Sequence, residues 1–164
     1  MVHMIDQAAQ AARLERKVLS KSLAVIRAAR PSLTLMPRAI VEAVFLSEGF
    51  IGSARDVAER LGMPNRFVLA RLLKREMLPP LHRLASLAML ESWVRASERD
   101  AVSLCHLAFR AHRHPSACYR LVREITGLRW KVVRARGSAW VEAQLVEELA
   151  KAADFGKRVS SRRS

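Results

Sequence analysis

The chain is poor in the residues that interrupt or cross-link a fold. It has six glycines, six prolines and two cysteines in 164 residues. Two cysteines, Cys105 and Cys118, cannot build a disulfide framework, so a stapled secreted module is excluded and a reducing cytoplasm is expected. Aromatics make up 5% of the chain, too few for the stacking platforms of most single-strand binders. No apolar run approaches the roughly 18–20 residues that span a bilayer, so no membrane partner is expected. Residues 4–30 carry charges throughout, which argues against a secretory leader. Gly-rich phosphate loops, nucleophile elbows and paired carboxylates in apolar surroundings are all missing, so neither an enzyme nor a cofactor is expected. Acidic residues are scarce too, 15 against 29 basic ones, for a net charge of +14.

What is present is a core former with a strong field. Hydrophobic residues are 51% of the chain, enough to fold and too many for a disordered basic tail. The charge is uneven: net +6 over residues 98–137, −3 over 138–156 and +4 over 157–164. A polyanion is the first partner class such a distribution suggests. The densest acids, Glu142, Glu147, Glu148 and Asp154, read as a solvated helix face and not as the clustered carboxylates of a nuclease.

Apolar periodicity near 3.6, with no sustained strand alternation, predicts an all-α fold. Helices are expected over 4–29, 37–48, 54–61, 65–76, 81–96, 101–111, 115–125, 129–135 and 139–154. The first carries a stripe of Leu14, Val18, Leu19, Leu23 and Ile26. Ser53 with Asp56 reads as a capping box, Asp100 and Ser138 as further N-caps, Pro115 as a first-turn residue and Gly127 as a stop. Phe67, Leu69, Leu72 and Leu73 are expected to face inward, and Trp93, Trp130 and Trp140 to serve the core. The segments are then an N-terminal helix for packing or dimerisation (1–36), a central domain (37–136), a C-terminal helix (137–156) and a basic disordered tail (157–164).

Two segments echo each other. Ala58-Glu59-Arg60, a break, and Arg71-Leu72-Leu73-Lys74 are matched by Ala108-Phe109-Arg110, a break, and Arg120-Leu121-Val122-Arg123. Each reads as a short helix, a tight turn and a second helix with basic residues three positions apart, the grammar of a helix-turn-helix unit. The 81–96 helix between them is a rigid spacer able to set two reading helices about 34 Å, one DNA turn, apart.

These residues resemble the DNA-binding domain of the AraC/XylS family of bacterial transcription regulators, over about residues 38–134. Ser103–Arg110 resembles the family's S-V-x-x-I-A-x-x-x-G-F, and Pro115-Ser116 with Tyr119–Arg123 resembles P-S-Y-F-S-R-x-F-K. Thr126-Gly127-Leu128 falls at its T-G-x-x-P, Val57–Met63 looks like L-A-x-x-L-G-M-S, and Arg71–Glu76 looks like R-L-F-K-R-E. The chain departs from the pattern at His112, where the family has a turn glycine, and at Arg113, Ala117, Cys118 and Arg129-Trp130. The second turn is one residue shorter and the first one longer. The resemblance implies two helix-turn-helix units joined by a linker helix, and sequence-specific binding of double-stranded DNA by a nucleoid-associated regulator. RNA polymerase, a regulatory protein and a second copy of the chain are further partner classes.

On 65–76 the residues the core does not need are Asn65, Arg66, Ala70, Arg71 and Lys74. Arg can grip guanine, and Asn adenine, through two hydrogen bonds each. On 115–125 the resemblance places Ser116, Tyr119 and Arg120 at base-reading positions, with Arg71 the counterpart of Arg120. Arg75, Arg110, Arg113, Arg123, Lys131 and Arg134 are phosphate candidates, which would position the domain without specifying sequence. Cys105, His106, His112, His114 and Cys118 lack the spacing of a structural metal site, so no metal is expected. Two other readings stay open: a protein-interaction adaptor with degenerate units, and a sequence-tolerant nucleoid or RNA binder.

Overall fold

The computed structural model describes the backbone from Val2 to Ser161; the side chains of residues 2–8, 11, 15, 18–20 and 152–161 lie outside the description. Among the described residues all regular structure is helical: α1 (Val2–Ala29), α2 (Leu35–Leu46), α3 (Ala54–Arg60), α4 (Arg66–Arg75), α5 (Leu81–Asp100), α6 (Leu104–Arg110), α7 (Pro115–Thr126), α8 (Trp130–Arg136) and α9 (Ser138–Ser161).

The ends differ from expectation where long-range contacts compete with local signals. Helix α2 begins two residues early, so Pro37 sits buried in its first turn, where no backbone donor is needed. Helix α5 runs on to Asp100 and is stopped by Ala101 at φ 54°. Asp100 therefore ends one helix instead of capping the next, and Ser103 caps α6 by accepting the His106 N–H at 3.1 Å. Ser138 is the first residue of α9 and not its cap. Its N–H and Oγ donate to the two carboxylate oxygens of Glu98 at 2.7 and 2.6 Å, so an acid from α5 closes the positive end of α9. Helix α9 continues five residues into the expected irregular tail, and residues 162–164 of that tail lie outside the described residues.

Helix α5, 20 residues and so about 30 Å long, is the spine of two cores. Its first half presents Leu81, Leu84, Leu87 and Ala88 to Ile40 and Val44 of α2, Ala58 of α3, Leu69 and Leu73 of α4, and Leu145 and Leu149 of α9. Its second half presents Leu90, Trp93 and Val94 to Leu104 and Ala108 of α6, Cys118 and Val122 of α7, Trp130 and Val133 of α8, and Val141 of α9. Trp140 packs half-buried against this second cluster, and Ile125 of α7 touches both. Each buried Leu or Val is worth about 1.5–3 kcal/mol. The α2–α5 approach depends on Gly49, at φ 78°, because a Cβ there would stand 2.2 Å from the Ala85 carbonyl oxygen.

Helix α1 engages the body through its last turns. Ile26 is buried and Leu23 half-buried, whereas Leu14 is exposed; Val18 and Leu19 of the expected stripe lie outside the described side chains. Arg30, buried just beyond α1, donates to the carbonyls of Glu76 (2.5 Å), Met77 (3.1 Å) and Leu149 (3.4 Å), tying together the ends of α1 and α4 and the body of α9.

The acids of α9 also correct the sequence reading. Glu142 and Glu148 are half-buried and turned toward α5, where Arg83 pairs with Glu148 and Arg95 with both Glu142 and Glu91. Of the expected solvated face, Glu147 is exposed and paired with Lys151, and the Asp154 side chain lies outside the description. Burial pushes the Glu91 carboxyl up from the ordinary carboxylate range, and the adjacent Arg95 opposes that shift.

Candidate nucleic-acid interface

The two helix pairs, α3 with α4 and α6 with α7, repeat one local construction. Ser53 and Ser103, 50 residues apart, each accept the N–H three residues on. In the first pair Asp56 completes a capping box, and the Ser53 hydroxyl and N–H hold its carboxyl below the usual range. Ala58 and Ala108 are both buried, and their carbonyls accept the turn N–H of Met63 and Arg113, each at 2.9 Å. Gly62 and His112 both take the left-handed conformation, at φ 67° and 51°. His112 thus adopts the backbone that Gly62 takes in the first turn, at a cost of about 1 kcal/mol.

From the turn onward the offset is 49, because the second turn lacks a counterpart of Pro64. Asn65 and His114 cap α4 and α7, each accepting the N–H of the second residue after it. Leu69 and Leu73 are buried at the positions of Cys118 and Val122. The outward positions correspond as well: 67 with 116, 70 with 119, 71 with 120 and 74 with 123. Spacing i, i+3, i+4, i+7 places each foursome on one helix face.

On α4 that face bounds a shallow open groove of about 460 Å³ lined by Asn65, Phe67, Ala70, Arg71 and Lys74. Phe67 was expected inside; instead it is 63% exposed, with the Arg66 guanidinium 5.0 Å above its ring. Its equivalence with Ser116 is the signal that places it outward. Asn65 Oδ1 accepts from the N–H of Phe67 and of Val68 at 3.0 and 3.1 Å, so a two-point grip on adenine would cost α4 its cap.

On α7, Ser116, Tyr119, Arg120 and Arg123 are exposed. The Ser116 hydroxyl lies 2.7 Å from His114 Nδ1, which orients it at the first turn. None of Arg66, Arg71, Lys74, Arg120 and Arg123 makes an ion pair among the described residues. Of the other phosphate candidates, Arg110, Arg113, Lys131 and Arg134 are exposed and equally unpaired, while Arg75 lies 3.5 Å from Glu76. Arg55, Arg60, Arg129 and Arg136, which are not among the residues expected from sequence to contact DNA, are exposed as well; Arg136 stacks over Trp140 at 4.8 Å. For Arg129 and Arg136 the signal is the shortage of acids: between residues 101 and 136 Glu124 is the single carboxylate against eight Lys and Arg.

The fold separates cations into two populations. Arg27, Arg83, Arg95 and Arg99 hold Glu42, Glu148, Glu91 with Glu142, and Asp100 respectively. Arg30 and Arg38 are held by backbone carbonyls. Apart from Arg75, the cations of α4, α7 and α8 make no ion pair among the described residues and keep their field for solvent. Buried Cys118, its thiol pushed up by burial, acts as a small hydrophobe on the inner face of α7.

Comparison of the chain with protein-family models, with curated proteins and with solved structures returns no match. Among the described residues no helix is long and apolar enough to cross a membrane.

Proposed function

We propose that this protein is a sequence-specific double-stranded DNA-binding transcription regulator of AraC-like type, with α3–α4 and α6–α7 as its two helix-turn-helix units. The observation that carries the reading is the repeat of exposed side chains at equivalent positions of two similarly capped helices, Phe67, Ala70, Arg71 and Lys74 on α4 and Ser116, Tyr119, Arg120 and Arg123 on α7, whose cations make no ion pair among the described residues. A second helix held by a short first helix, anchored through Ala58 or Ala108, and a tight turn is suited to the major groove, whose width of about 12 Å admits one helix.

Arg71 and Arg120 take the central reading role, each able to hold guanine O6 and N7. Phe67 and Ala70 add an apolar surface that fits a thymine methyl. Lys74, Arg110, Arg113, Arg123, Lys131 and Arg134 take phosphates, with Arg129 and Arg136 extending that set. Asn65 and His114 position the reading helices as caps. Helix α5, braced by α9, sets the separation of the two units.

Selection of bound duplexes from a random library tests the reading. The expected outcome is a bipartite motif with its halves about one helical turn apart, and affinity that falls steeply with salt. Indifference to sequence, or equal competition by double-stranded RNA, whose deep narrow groove excludes these helices, overturns it.

A further inference from the structure

Helix α2 carries apolar residues on two opposite faces, with Arg38 and Glu42 on one edge between them. Pro37, Ile40, Val41, Val44 and Phe45 are buried against the body, while Leu35 (83% exposed), Met36, Ala39, Ala43 and Leu46 form a stripe open to solvent, continued by the half-exposed Phe50. A helix with two apolar faces is ordinarily covered on both. The charges of α2 are held within the fold. Arg38 Nη2 donates to the carbonyls of Leu33 and Pro31 at 2.8 and 3.3 Å, and Glu42 pairs with Arg27 of α1. This face therefore carries no free cation and, unlike α4 and α7, offers nothing to a polyanion.

We propose that the face is covered by a second copy of the chain, with α2 antiparallel to its symmetry mate. Charge favours that occupant. Two chains of +14 repel each other over most of their surfaces, and this stripe is a neutral site of approach. It is also self-complementary. Arg38 and Glu42 lie on one edge of α2, a turn apart, and a twofold axis crossing the open face midway between their levels sets each Arg38 beside the mate's Glu42 and each Glu42 beside the mate's Arg38. Arg38 Nη1 carries no hydrogen bond among the described residues, so one donor group remains for that contact. Ala39 and Ala43, four residues apart, let the two backbones approach closely, and Leu35, Leu46 and Phe50 close the ends.

The test is sedimentation equilibrium of the full chain without DNA, at about 100 µM and in roughly 0.3 M salt to screen the net charge, with the exposed-face variants Leu46→Lys and Leu35→Lys and a helical circular-dichroism melt of each. The expected result is a wild-type mass of twice the 18.4-kDa chain and monomers for both variants with unchanged melts. A wild-type monomer at that concentration overturns the proposal and assigns the face to a different protein. A dimer that survives both substitutions overturns it equally, by placing the contact elsewhere.

Discussion

Replacing Arg120 with alanine isolates base reading from folding. The side chain is exposed and makes no ion pair among the described residues, so its removal strands no buried partner. The expected change in stability is within about 0.5 kcal/mol, the range of ordinary surface substitutions. On the selected duplex the loss should be about 1–3 kcal/mol, a factor of roughly 5 to 150 in Kd, and the preference at one position of the α7 half-site should relax. Arg71→Ala should behave alike in the α4 half-site. The two residues sit on separate helix pairs and share no partner, so the double variant should lose the sum to within about 0.5 kcal/mol. The assay is fluorescence anisotropy on the selected duplex and on a scrambled one, at several salt concentrations, with a thermal melt of each variant. Equal losses on both duplexes would refute base reading by these arginines and leave them as phosphate contacts.

Lys131→Ala should weaken all duplexes alike and reduce the salt slope by about 0.9, the value for one phosphate; an unchanged slope removes Lys131 from the contact set. If Phe67 meets a thymine methyl, uracil in place of that thymine should weaken wild-type binding several-fold and leave Phe67→Ala unaffected, and identical sensitivity in both proteins rules the contact out. His112→Gly should stabilise the fold by about 0.5–1 kcal/mol in urea titration, because glycine adopts the left-handed turn without the Cβ penalty; a loss of stability would mean that the imidazole makes a contact worth more than the strain. Arg95→Ala leaves Glu91, 4% exposed, without its cation and should cost about 3 kcal/mol near neutral pH. The Glu91 carboxyl is raised by burial, so its contribution is fully present below the ordinary carboxylate range and lost as pH rises through the folded value; the variant's deficit should therefore shrink in acid, and a pH-independent deficit contradicts that assignment.

Much of the architecture was legible because helical periodicity and capping are local. Leu84, Leu87, Ala88, Leu90 and Val94 on α5, and Val141, Leu145 and Leu149 on α9, are buried as their spacing predicts. The Ser53–Asp56 capping box and the Gly127 stop also sit where short-range rules put them. The misreadings share a cause, which is competition that a local rule cannot weigh. Asp100 and Ser103 are both good caps, and the packing of α5 against α6 and α8 decides between them. Ser138 reads as a cap until Glu98, 40 residues away, takes its hydroxyl. Phe67 fits the apolar stripe of α4 by residue type, yet Leu69 and Leu73 already fill the side facing the core.

The same competition explains why the candidate interface was legible as a region and not as a surface. Sequence alone gives a net charge, but 15 acids could have neutralised any of the 29 bases. The fold engages several of them on arginines that hold helices together, with Glu142 and Glu148 on α9 serving Arg95 and Arg83 on α5. Those pairs span 47 and 65 residues, beyond the reach of any periodicity argument. They do two things at once. They brace the spine that separates the two helix pairs, and they withdraw negative charge from the side chains of α4, α7 and α8. Two acids of a face that reads as solvated in sequence are therefore engaged on α5 and not on the cations of α4, α7 and α8.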